Sequence, residues 1–109
     1  MATERNPATG RIRIEMPTRE LQRFCHRWKV AELALFGSVL RHDFGPQSDI
    51  DVLIEFGKDA HWSLFEWVDM IDELRGIFGR NVDLVSKRGL RNPFRRRAIL
   101  AAREVVYAA

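Results

Sequence analysis

Hydrophobic positions recur along this chain with two periods, and the switch between them lays out the elements. Residues 49–56 (DIDVLIEF) alternate strictly. Ile50, Val52, Ile54 and Phe56 fall on one face of a strand; Asp49, Asp51, Leu53 and Glu55 fall on the other. Residues 31–36 (AELALF) predict a short strand ended by Gly37, residues 81–85 (NVDLV) another, and Glu104–Tyr107 a last one. Helical spacing governs the segments between them. Leu21, Phe24, Cys25 and Trp28 form an apolar stripe behind a start at Pro17 or Thr18. Within 62–78, Leu64, Trp67, Val68, Ile71, Leu74 and Phe78 form a second stripe, with acids opposite and a stop at Gly79. Asn92-Pro93 opens a third helix that runs to about Ala102. The order helix, strand, strand, helix, strand, helix, with short loops, predicts an α/β (α+β) domain. Its core would be a three- or four-stranded mixed sheet with helices packed on it. Residues 1–16 read as a flexible lead, with a short edge strand at Ile12 and Ile14, and 17–109 as a single domain.

Composition narrows the class. A chain of 109 residues, 46% hydrophobic and 30% charged, supports one globular core. No apolar run approaches the ~20 residues of a membrane span, and the opening residues lack a basic lead followed by a short apolar stretch and a small-residue cleavage site, so secretion is not expected. Cys25 is the single cysteine, which excludes an intrachain disulfide and any multi-cysteine metal site. It lies on a helical stripe and reads as a small buried hydrophobe. A cytoplasmic location is expected. The formal charge of +3 does not mark a nucleic-acid binder, but its distribution is uneven. From Lys87 onward seven basic residues face one acid, Glu104. Such a tail attracts phosphate or an acidic partner, or simply solvates a helix face. Phe94 and Tyr107 do not form a stacking pattern for nucleic acid, so direct binding to it is not expected. Trp28 and Trp67 lie on periodic stripes and read as core. Trp62 and Phe65 fit the stripe less well and are candidates to touch a partner or a nucleotide base.

The chemistry lies in the carboxylates. Asp49 and Asp51 share one face of a strand with Cα atoms about 6–7 Å apart. Two acids so placed repel unless cations neutralise them. A divalent cation such as Mg²⁺ is one answer, since it takes carboxylate, water and phosphate oxygens. A solvated strand face is the other. Just upstream, Phe36-Gly37-Ser38 follows a strand and precedes a possible helix start, a turn that can turn backbone N–H groups toward a phosphate. Asp83 interrupts a later apolar strand and would join the pair if the two strands are neighbours. Three carboxylates beside such a turn are the components of metal-assisted phosphoryl transfer.

Gly37-Ser38, ten residues, then Asp49-Ile50-Asp51 resembles the G-S-x10-D-x-D signature of the DNA polymerase β-like nucleotidyltransferase superfamily. The stretch FGSVLRHDFGPQSDIDVLIEF resembles its short members, the minimal nucleotidyltransferases, or MNT domains, and the likeness runs from about Pro17 to the C-terminus. Where many members read Arg-Gly-Asp after the turn, this chain has Arg41-His42-Asp43, with His42 read as a surface residue. The resemblance implies the nucleotidyltransferase fold. Asp49, Asp51 and Asp83 would bind Mg²⁺, two ions in all. Asp83 would also help deprotonate the acceptor hydroxyl. Gly37 and Ser38 would hold the β- and γ-phosphates of ATP, and Arg41 would reach the triphosphate. It further implies an antitoxin that transfers AMP from ATP to a tyrosine of a HEPN toxin, in an oligomer with that partner. Two other readings stay open: an antitoxin that neutralises its partner by binding alone, and a nucleotidyltransferase acting on a small molecule such as an antibiotic.

Overall fold

The strict alternation of the strands decides how many layers the domain has. The computed structural model describes residues 14–41 and 44–109. Four strands, β1 (Val30–Phe36), β2 (Ile50–Phe56), β3 (Val82–Ser86) and β4 (Glu104–Ala108), form one mixed sheet in the order β3-β2-β1-β4. β1 runs antiparallel to β2 and β4, and β2 runs parallel to β3.

One face carries Leu33 and Leu35 of β1 and Ile50, Val52 and Ile54 of β2. These pack with Leu21, Phe24 and Cys25 of α1 (Thr18–Arg27) and Met70 and Leu74 of α2 (Leu64–Phe78). The other face carries Ala34, Phe36 and Leu53, which Leu90, in the loop before α3 (Pro93–Ala102), and Ile99 of α3 cover. Leu53, on the acidic side of the β2 pattern, is therefore only 2% exposed. Burying a side chain of this kind contributes about 1.5–3 kcal/mol, so α3 is held by packing despite its arginines. Glu73 of α2 ties the first layer together by accepting from Trp28 Nε1 at 2.9 Å and Arg27 Nη1 at 3.2 Å.

Helix boundaries follow local chemistry. Ser63 caps α2 in a reciprocal box with Glu66, and Gly79 ends it in the left-handed region at φ 71°. The helix therefore starts two residues later than the 62–78 stripe predicts. The Asn92 side chain accepts from the Phe94 and Arg95 N–H groups at the start of α3. Leu64 departs from its expected place on the buried stripe. It is 75% exposed, because the first turn of α2 borders an open cleft rather than the sheet. Trp62, off that stripe, is anchored at one edge. Its ring meets Trp28 edge-on at 5.1 Å and its Nε1 donates to the Trp28 carbonyl at 3.0 Å, so it is half-buried. Ile14 and Met16 pack against the core; the rest of the expected lead, with Ile12, lies outside the described residues.

Candidate active site

The registry of three strands sets the site. Asp51 lies opposite Phe36, the last residue of β1, and beside Asp83 on β3. Neighbouring strands are about 4.8 Å apart, so the Asp51 and Asp83 side chains leave the same face side by side. Asp49 stands one residue before β2 and is exposed, as is Asp83, while Asp51 is half-buried. The strand start is pinned from β3, since the Ile50 N–H donates to the Asn81 carbonyl at 2.9 Å.

Directly after β1, Gly37–Leu40 form a 3₁₀ turn. Gly37 has φ +75°, and a Cβ placed on it would come within 2.1 Å of Asp51 Oδ2. Glycine is required there twice, by the left-handed backbone and by the carboxylate it lies against. The Ser38 N–H donates to the Asp51 carboxylate, and the Ser38 hydroxyl donates to the Asp49 carbonyl at 3.5 Å. The turn foreseen as a phosphate cradle is thus hydrogen-bonded to both Asp49 and Asp51.

Burial pushes the Asp51 carboxyl above the usual carboxylate range, and the charges of Asp83 and Asp49 push it further. The Ser38 N–H and Arg41 pull it back. Five of the six residues singled out in the sequence, Gly37, Ser38, Asp49, Asp51 and Asp83, are brought to one end of the sheet. Arg41, the sixth, is near enough for its charge to act on Asp51. His42 and Asp43 lie outside the described residues.

Residues 19–106 match the nucleotidyltransferase domain family. This chain belongs to that family. The nucleotidyltransferase is 33% identical over 81 residues to protein adenylyltransferase MntA of Thermococcus cleftensis, spanning 74% of this chain and 77% of that one. A solved structure provisionally described as a minimal nucleotidyltransferase superposes with a TM-score of 0.65 at 31% identity. The match covers 80% of this chain and 85% of that one. The fold is also that of the MNT antitoxin complex with a tri-AMPylated Shewanella oneidensis HEPN toxin. There the TM-score is 0.60 at 18% identity, over 85% of this chain and 71% of that one.

Among the described residues, no three His, Cys, Asp or Glu side chains gather closely enough to hold a metal ion by themselves. The donor set nevertheless fits Mg²⁺, which uses one or two protein carboxylates and completes its shell with water and substrate phosphates. Asp49, Asp51 and Asp83 offer only oxygen, and Asp51 is a partly desolvated acid pressed by two others.

One contributor was missed in the sequence. The loop into Asp49 turns at Gly45-Pro46-Gln47-Ser48, closed by the Ser48 N–H on the Gly45 carbonyl at 3.0 Å. Arg80 clamps it from outside. Its Nη1 donates to the Gly45 and Ser48 carbonyls at 3.0 and 3.2 Å, and its guanidinium lies 4.6 Å over the Phe44 ring. Arg80 thereby holds the loop that leads into Asp49. No local pattern announces it, because its partners lie more than thirty positions earlier.

Proposed function

We propose that this chain transfers AMP from ATP, with Mg²⁺, to a hydroxyl of a partner HEPN toxin, a tyrosine, and acts as the antitoxin of that pair. The observation that carries the proposal is the contact between the Gly37 turn and Asp51, with Asp83 in register beside it. A purely structural strand end has no use for a left-handed glycine packed on a half-buried acid flanked by two more. The adenylyltransferase relative and the AMPylated toxin bound to a fold neighbour support the choice of AMP and of a protein acceptor.

In this reading the acceptor oxygen attacks the α-phosphorus of ATP. A new P–O bond forms as the bond to the β-phosphate breaks, and pyrophosphate leaves. Asp83, exposed at the strand edge, takes the hydroxyl proton. Asp49 and Asp51 would hold Mg²⁺, which supplies positive charge to the triphosphate and the attacking oxygen. Gly37, Ser38 and Arg41 steady the β- and γ-phosphates. An adenylyl group adds bulk and negative charge to the toxin, enough to block a nucleic-acid site. The need for ATP fits the cytoplasmic location expected above.

The test is the intact mass of a HEPN-type partner co-expressed with this chain. The partner should gain the mass of one or more AMP groups, and Asp49→Asn should remove the gain while leaving circular dichroism unchanged. A partner that stays unmodified in a tight complex would replace catalysis with occlusion.

A further inference from the structure

The end of the sheet away from the acids has a different chemistry. Both α2 and α3 start after the C-terminal ends of the parallel strands β2 and β3. At these two starts lie the exposed large hydrophobics of the described residues: Leu64 and Phe65 (84% exposed) with Val68 on α2, and Phe94 (83%) on α3. The three on α2 fall within five consecutive residues, and apolar groups gathered in this way mark a contact surface. Beside the start of α2, between it and the end of β3, opens a cleft of about 750 Å³, with Phe56, Trp62 and Trp67 among its walls, Leu64 on its rim and Arg88 at its side.

The cleft's walls are fixed. Trp62 is locked to Trp28 by its hydrogen bond and edge-on contact, and Phe56 meets Trp67 edge-on at 6.5 Å. A fixed aromatic surface loses little freedom on binding. No carboxylate lines it. Asp59 and Glu66 lie at this end but outside the cleft, and Glu66 is engaged in the α2 cap. The basic residues nearby divide into two sets. Lys87 pairs with Glu55, Arg96 donates to the Lys87 carbonyl and Arg103 pairs with Glu32. Arg88, Arg91, Arg95 and Arg97 are exposed and make none of the ion pairs found among the described residues.

We propose that this cleft docks the acceptor protein, taking a segment that carries a large apolar side chain beside a carboxylate. The apolar group would enter against Phe56, Trp62 and Trp67, and the carboxylate would meet Arg88. The proposal rests on the reading that the acceptor is a separate protein chain. Asp51 and Phe56 are five residues apart on β2, or about 17 Å. They also point to opposite faces of the sheet, so the partner must reach over the β3 edge. A folded protein can do so, whereas a short peptide cannot fill both places. The cleft therefore sets which protein is adenylylated, and the acids set what is done to it.

The affinity of the full chain for the purified HEPN-type partner tests this by calorimetry, with two variants at exposed positions. Leu64→Ser/Phe65→Ser and, separately, Arg88→Glu should each weaken binding by about tenfold or more, with melting and ATP binding unchanged. A photocrosslinking amino acid in place of Phe65 should capture a partner segment containing Asp or Glu next to a large apolar residue. Unchanged affinity in both variants, or crosslinks confined to a second copy of this chain, would overturn the proposal. A partner that binds through the cleft but gains no AMP mass defeats the catalytic reading and leaves the cleft standing. One adenylylated by both variants with unaltered affinity does the reverse.

Discussion

The two ends of β2 differ in almost every respect. At the Asp49 end the side chains are acidic, the turn is held by one glycine, and the Ser38 backbone N–H is aimed at a carboxylate. At the Phe56 end the side chains are aromatic and aliphatic, the available charge is cationic, and large apolar groups face solvent. In the proposed reading the acidic end meets a cation and a phosphate, and the aromatic end meets a protein. The seven residues of β2 would then separate the chemistry from the means of choosing its target.

Substitution at the acidic end should produce the largest effect. Gly37→Ala drives a methyl group onto Asp51 and should lower AMP transfer by on the order of a hundredfold or more. Its left-handed backbone adds roughly 1–2 kcal/mol of destabilisation, so rates and melting curves must be read together. If transfer survives, Asp51 is not where the reaction occurs. Arg80→Ala removes the clamp on the loop before Asp49. Transfer should fall by about ten- to a hundredfold, as for other residues that orient metal ligands, and Arg80→Lys should recover only part. A loss confined to stability would make the clamp merely structural.

The core between the ends yields a pH prediction. Cys25 is 1% exposed, and burial raises its thiol from its ordinary 9.0 to about 12. The folded state then holds a proton that the unfolded chain releases. Stability should be full below pH 9 and fall as pH rises from 9 toward 12. Denaturant titrations across that range check the sign. A thiol reagent at pH 8 should label Cys25 only after unfolding. The smallest effect belongs to the aromatic end, where Ser63→Ala should cost about 1 kcal/mol through loss of the α2 cap. Chemical denaturation measures it.

The sequence was most legible where a requirement is local. The alternation of β2, the glycine after β1, the Asn92-Pro93 helix start and the fixed spacing from Gly37 to Asp51 are each set by neighbours in the chain. Asp83 needed one further step, the pairing of β3 beside β2, which the parallel registry provides. What was not legible depends on contacts between distant segments. Arg80 reaches back to Gly45, and Trp62 is drawn in by Trp28. Leu64 has helical spacing that points to the core, yet the cleft leaves it exposed. Phe65 was marked only by its misfit to the stripe, and the structure leaves it in solvent.

The most direct test compares the two ends in one experiment: the rate of AMP incorporation from α-labelled ATP into the HEPN-type partner as partner concentration is varied. Asp51→Asn should abolish kcat while the partner still binds. Leu64→Ser/Phe65→Ser should raise KM for the partner about tenfold or more and leave kcat near that of the parent chain. An Asp51→Asn protein that keeps its kcat would contradict the account.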